Sequence, residues 1–69
     1  MEIVFSDHAR MRMGQRGISL WEVKHVLEFP DETRNSSEGR KIAIGMAGTR
    51  SLRVVFIEVE NYIKIITVL

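Results

Sequence analysis

The sequence predicts an α+β domain: a strand, two helices, then a three-stranded antiparallel meander, with both helices packed on one sheet face. Two observations carry this reading. Residues 19–28 combine a capping box with an apolar stripe at helical spacing, and residues 41–68 hold three β-branched, apolar runs separated by short turn segments.

Glu2-Ile3-Val4-Phe5 is a short β-branched and aromatic run, expected as the first strand. Ser6 follows as an N-cap, with Asp7 in the first turn, where the positive end of the helix dipole favours a carboxylate. In the helix Ala9 and Met13 define a thin apolar line. At 100° per residue Arg12 and Arg16 fall between that line and His8, bordering the core. Gly14 inside this helix costs roughly 1 kcal/mol relative to alanine, with no local compensation visible. Gly17 suits the left-handed residue that ends the helix.

Ser19-Leu20-Trp21-Glu22 is the capping box of a second helix, whose stripe is Leu20, Val23, Val26 and Leu27. Pro30 bars its continuation. Trp21 lies off the stripe, beside Lys24, His25 and Glu28, either as an edge residue or as a contact for a partner. Asp31 to Gly39, DETRNSSEG, lacks periodicity and is expected to be a loop. Residues 41–46 alternate large and small, with Ile42, Ile44 and Met46 on one face. Ala47 to Arg50 reads as a hairpin connection. Residues 52–59 form the longest run, apolar on both faces and so expected at the sheet centre, and Glu60-Asn61 turns the chain into residues 62–68.

With 69 residues the chain is expected to be a single domain, 1–69, near the lower size limit for a core without a staple. It has no cysteine, which removes disulfides, thiolate metal sites and a cysteine nucleophile, and suits a cytoplasmic location. Its two histidines lie too far apart in sequence for a recognisable metal motif, so neither metal nor cofactor is expected. No apolar run approaches the ~20 residues that span a bilayer, and Glu2 without a cationic region does not resemble a secretory signal. No membrane partner is expected. The net charge is +1, yet the charges are segregated. Residues 8–16 and 40–53 contain only basic charges, and acids gather in 22–38, so one face of the molecule can still be basic.

The basic stretch is His8 to Gly17, HARMRMGQRG. His8, Arg12 and Arg16 recur every four residues and stack along one side of a helix. An imidazole titrates near neutrality and a guanidinium binds phosphate with two parallel bonds, so the trio suits phosphate chemistry. A solvated helix face with a structural histidine would show the same residues.

The pattern His8-Ala9-x-x-Arg12-Met13-x-x-Arg16-Gly17-Ile18-Ser19, then Val23-x-x-Val26-Leu27-x-x-Pro30, resembles the domain-of-unknown-function family numbered 4258. Gly39-Arg40-Lys41, Leu52-Arg53-Val54-Val55-Phe56 and Ile65-Ile66-Thr67-Val68 extend the resemblance over nearly the whole chain. Phe29 stands where that family often has asparagine. In layout the family is similar to the RelE/ParE-type toxins, a group in which some members cut RNA without metal, others inhibit gyrase and others are inactive.

Three readings from different classes remain open. The first is a RelE-like, metal-independent ribonuclease acting on RNA or at the ribosome and controlled by an antitoxin-like protein. Such chemistry needs a base, an acid and cations around the phosphate. His8, Arg12, Arg16 and Arg53 are its candidate catalytic residues. Arg40, Lys41 and Thr67 are candidate phosphate contacts, with Tyr62 as a further hydroxyl. The second is an RNA-binding module without turnover. The third is a protein-interaction domain, including a homodimer, organised around Trp21 and exposed apolar sheet surface. His25 is expected on the surface of the second helix.

Overall fold

The computed structural model describes residues 2–69. Two helices lie on one face of a five-stranded open mixed sheet. The elements are β1 (Glu2–Phe5), α1 (Asp7–Arg16), α2 (Leu20–Glu28), β2 (Glu32–Asn35), β3 (Lys41–Ala47), β4 (Arg50–Val59) and β5 (Tyr62–Val68), in sheet order β1-β5-β4-β3-β2. β3, β4 and β5 are joined antiparallel through short turns, and β1 lies parallel to β5 at one edge. The ten-residue β4 is central, in line with a run apolar on both faces.

Each helix starts where its side chains can satisfy orphan N–H groups. The Ser6 hydroxyl accepts from Ala9 N at 3.0 Å and donates to Ile66 O at 2.8 Å. The second bond exists because β5 is irregular there. Opposite the step Val55/Phe56 the pairing jumps from Thr67 to Ile65, leaving Ile66 as the extra residue of a bulge. Ser6 thus caps α1 and ties it to β5 in one move. α1 ends at Gly17, whose φ of 63° is left-handed. α2 opens on the full capping box: Glu22 N donates to Ser19 Oγ (3.3 Å), and Ser19 N donates to Glu22 Oε1 (2.9 Å).

The core is the layer between helices and sheet: Ala9, Ile18, Val23 and Val26 against Ala43, Ala47, Leu52, Val54, Phe56, Ile65 and Val68. In β3 the small residues are the buried ones. Ala43, Gly45 and Ala47 face inward, while Ile42 and Ile44 are half-buried and Met46 exposed on the far side. The cause is the chain leaving α2, which crosses β3 at backbone contact distance. A Cβ on Gly45 would lie 3.4 Å from both Asp31 N and Pro30 Cα, and Asp31 N donates to Ile44 O at 2.8 Å. The stripe of α2 begins at Val23, because Leu20 in the first turn is 48% exposed.

The polar segment 31–39 is not the loop its composition predicts. Glu32–Asn35 pairs antiparallel with Ile44 to Lys41 as a fifth, edge strand, and only a tight turn at residues 37–39, with Glu38 and Gly39 at positive φ, separates it from β3. All four β2 residues are exposed, so no apolar alternation marks the strand. What makes it is the available edge of β3, together with a bidentate Arg34–Glu32 pair on its surface (2.6 and 3.3 Å). Charged residues on so short an edge also discourage pairing with foreign strands. The expected three-stranded meander is therefore the middle of a larger sheet.

Candidate functional site

α1 rests against β5 and carries three of the four candidate catalytic residues. Ala9 is buried and Met13 packs on the core, which turns Arg12, half-buried, toward the border. His8 and Arg16, one turn to either side of Arg12, are exposed. The helix thus aligns one imidazole and two guanidinium groups, with Arg10 exposed elsewhere on its surface.

Among the described residues the ion pairs are Arg34–Glu32, Lys41–Glu58 and Arg50–Glu22, so Arg10, Arg12 and Arg16 have no carboxylate partner. Their charges are not spent on internal pairing. Arg16 also lines a shallow depression of about 240 Å³ with Ile18, Arg50, Ser51, Leu52 and Leu69.

Arg50, which the sequence pattern places only at a hairpin edge, organises that depression. Its guanidinium donates to Arg16 O (3.3 Å) and Gly17 O (3.1 Å), and approaches Glu22 Oε2 at 3.7 Å. It therefore satisfies the carbonyl end of α1 and touches the cap of α2 together. The Glu22 carboxyl is held below the usual range, first by the bond from Ser19 N, then by the Ser19 hydroxyl and the Arg50 charge, which together outweigh its desolvation. No local sequence signal marks Arg50, because its partners on α1 lie more than thirty residues away.

The fourth expected catalytic residue, Arg53, is not with the others. It stands between the buried Leu52 and Val54 on β4, so strand alternation directs it to the face opposite the helices. There it pairs across the sheet with Ile44 and, through paired backbone bonds, with Leu69. The Glu32 carboxyl, on the strand beyond Ile44, is lowered first by its bond from Arg34 and to a lesser degree by the Arg53 charge. A site combining His8, Arg12, Arg16 and Arg53 would have to reach through the sheet.

The expected phosphate contacts also separate. Thr67 pairs with Val55 and shares Arg53's side of the sheet, with its Oγ1 buried and unpartnered. Arg40 precedes β3 in extended conformation, two residues before Ile42, and its Nε is likewise buried without a partner. Lys41 points to the other side and is bonded to Glu58. Tyr62 is half-buried at the far end of β5, opposite Val59 and Glu2.

Trp21 is 60% exposed on α2. Its ring meets His25 edge-on at 6.1 Å, and His25 in turn tilts against Phe29 at 5.3 Å. Phe29 is 61% exposed. The spacing of four residues between successive rings is visible in the sequence and marks a continuous aromatic strip on the outer surface of α2. No three His, Asp or Glu side chains among the described residues are grouped to hold a metal ion. No described helix is long and apolar enough to cross a membrane.

Compared with known proteins, residues 5–69 match the family model described as a domain of unknown function (DUF4258). Neither a curated protein nor a solved structure matches the chain.

Proposed function

The chain belongs to the DUF4258 family, and from that premise we propose that it is an RNA-binding module of RelE/ParE-like type that grips the phosphate backbone through α1. The observation that carries this reading is the concentration of three guanidinium groups on one short helix, Arg10, Arg12 and Arg16, none with a carboxylate partner among the described residues. An arginine bordering the core has its stem held by packing, so less rotamer entropy is lost when its planar fork meets a phosphate. Phenylalanine, tyrosine and tryptophan are absent from α1, which favours contact with phosphate over extensive stacking on bases.

Arg50 supports the same reading by tying down the end of α1 that carries Arg16. The similarity in layout that the sequence pattern suggests to RelE/ParE-type toxins supports it by analogy of fold. Binding of a fluorescently labelled single-stranded RNA, followed by anisotropy across a salt series, tests the proposal. Affinity should fall steeply and linearly on logarithmic axes. A salt-independent affinity, or none at low salt, would sink the reading.

A ribonuclease version of the same site rests on His8, exposed one turn before Arg12. An imidazole there can take a proton from a 2′-hydroxyl while Arg12 and Arg16 steady the phosphate. Incubation of the RNA with protein and chelator separates the two. Chelator-resistant cleavage that disappears in His8→Ala identifies an enzyme, and binding without cleavage identifies a binding module.

A further inference from the structure

We propose that α2 pairs two copies of this chain, antiparallel, about a two-fold axis passing beside His25. The inference stands apart from the RNA reading, since it uses a different helix. Trp21 and Phe29 are among the most exposed large apolar side chains, and His25 joins their rings into one surface. Each lies four residues from His25, so the strip has the same reach in both directions. When a second α2 is laid across it in reverse, Trp21 meets the second copy's Phe29, and the two His25 rings meet near the axis. A surface that complements itself under reversal is what an isologous contact requires.

The charges beside the strip obey the same symmetry. Lys24 and Glu28 are exposed, one turn apart, and neither has an ion-pair partner among the described residues. Reversal brings Lys24 of each copy toward Glu28 of the other, making two equivalent opposite-charge contacts at the rim. Between α2 and the sheet these two residues also border an apolar groove of about 450 Å³ floored by Ile3, Leu27 and Ile63. The groove extends the apolar surface beyond one side of the strip. The helix-free face of the sheet is less suited to a second copy. Its Arg40, Arg53 and Lys64 lack carboxylate partners, so two such faces would bring like charges together.

Sedimentation of the whole chain over about 1 to about 500 µM, the span in which micromolar association is resolved, tests the pairing. The mass should rise from monomer toward dimer. Trp21→Ala should weaken association at least about tenfold, as loss of a central aromatic anchor does. Lys24→Glu should weaken it, and Lys24→Glu with Glu28→Lys should restore it. A monomer at every concentration overturns the proposal. So does association unaffected by Trp21→Ala but abolished by Val55→Lys, which would place the contact on the sheet face. Failure of the double exchange to restore association overturns the antiparallel arrangement.

Discussion

Two glycines show how differently one residue type can be used. Gly14 lies in α1 with open space where a Cβ would point, and its backbone is not left-handed. It therefore bears the entropy cost of glycine in a helix with no steric return. Gly14→Ala should stabilise the protein by about 0.5–1 kcal/mol, read as a higher urea midpoint with unchanged slope. Gly45 is the reverse case. A Cβ alone reaches van der Waals contact with the backbone of Pro30 and Asp31, so the two γ-carbons of Gly45→Val have no room. That variant should lose about 1–3 kcal/mol in the same measurement. Gly14's cost is readable from its place in a helical pattern. Gly45's role is not, because the contact that demands it comes from an earlier segment, Phe29 to Asp31, that crosses the strand. The same crossing explains why the alternation of large and small in β3 resolves with its small face inward.

Among the elements, legibility follows the range of the interactions. Both helix starts are set by bonds over three residues, Ser6 to Ala9 and Ser19 to Glu22, and both are readable in the sequence. β2 is not, since its four exposed residues become a strand only through the edge that β3 offers. Ser6→Ala tests a local bond and a long-range one together. It removes the cap of α1 and the donor to Ile66 O, and should cost about 1–2 kcal/mol. Hydrogen exchange should speed up at the start of α1 and at the β5 bulge in that variant, and faster exchange confined to the helix would show the tie to β5 to be idle. The cap of α2 has a pH signature. Glu22 has a lower pKa folded than unfolded, so the unfolded chain takes up the proton more readily. Its contribution is complete above the ordinary value of 4.5 and is lost as pH falls through the lower folded value. The drop in urea midpoint between neutral pH and the acid side of that window should be smaller in Glu22→Gln than in the parent. Glu32 titrates in the same direction in both proteins and so cancels from the comparison.

For the whole molecule the decisive fact is sidedness. Charge segregation and the helix motif point to His8, Arg12 and Arg16 as one group, and α1 aligns them. That Arg53 lies across the sheet from them depends on which face of β4 the helices cover, and β4, apolar on both faces, gives no sign of it in the sequence. This separation turns into a direct comparison of variants. If RNA lies along α1, Arg12→Gln with Arg16→Gln should lower the slope of log affinity against log salt by about 1.4, near 0.7 for each phosphate no longer neutralised on a single strand. Arg53→Gln removes the same kind of charge from the opposite face, and should leave the slope unchanged. Its effect on general electrostatic attraction is a small uniform loss, because charges farther apart than the Debye length of about 8–10 Å are largely screened. Equal loss of slope in the Arg53 variant would mean that RNA wraps both faces or sits on the sheet, and α1 would no longer be the element that grips the phosphates. A fall confined to the Arg12 and Arg16 variant would leave Arg53 to the helix-free face, where its charge acts on Glu32.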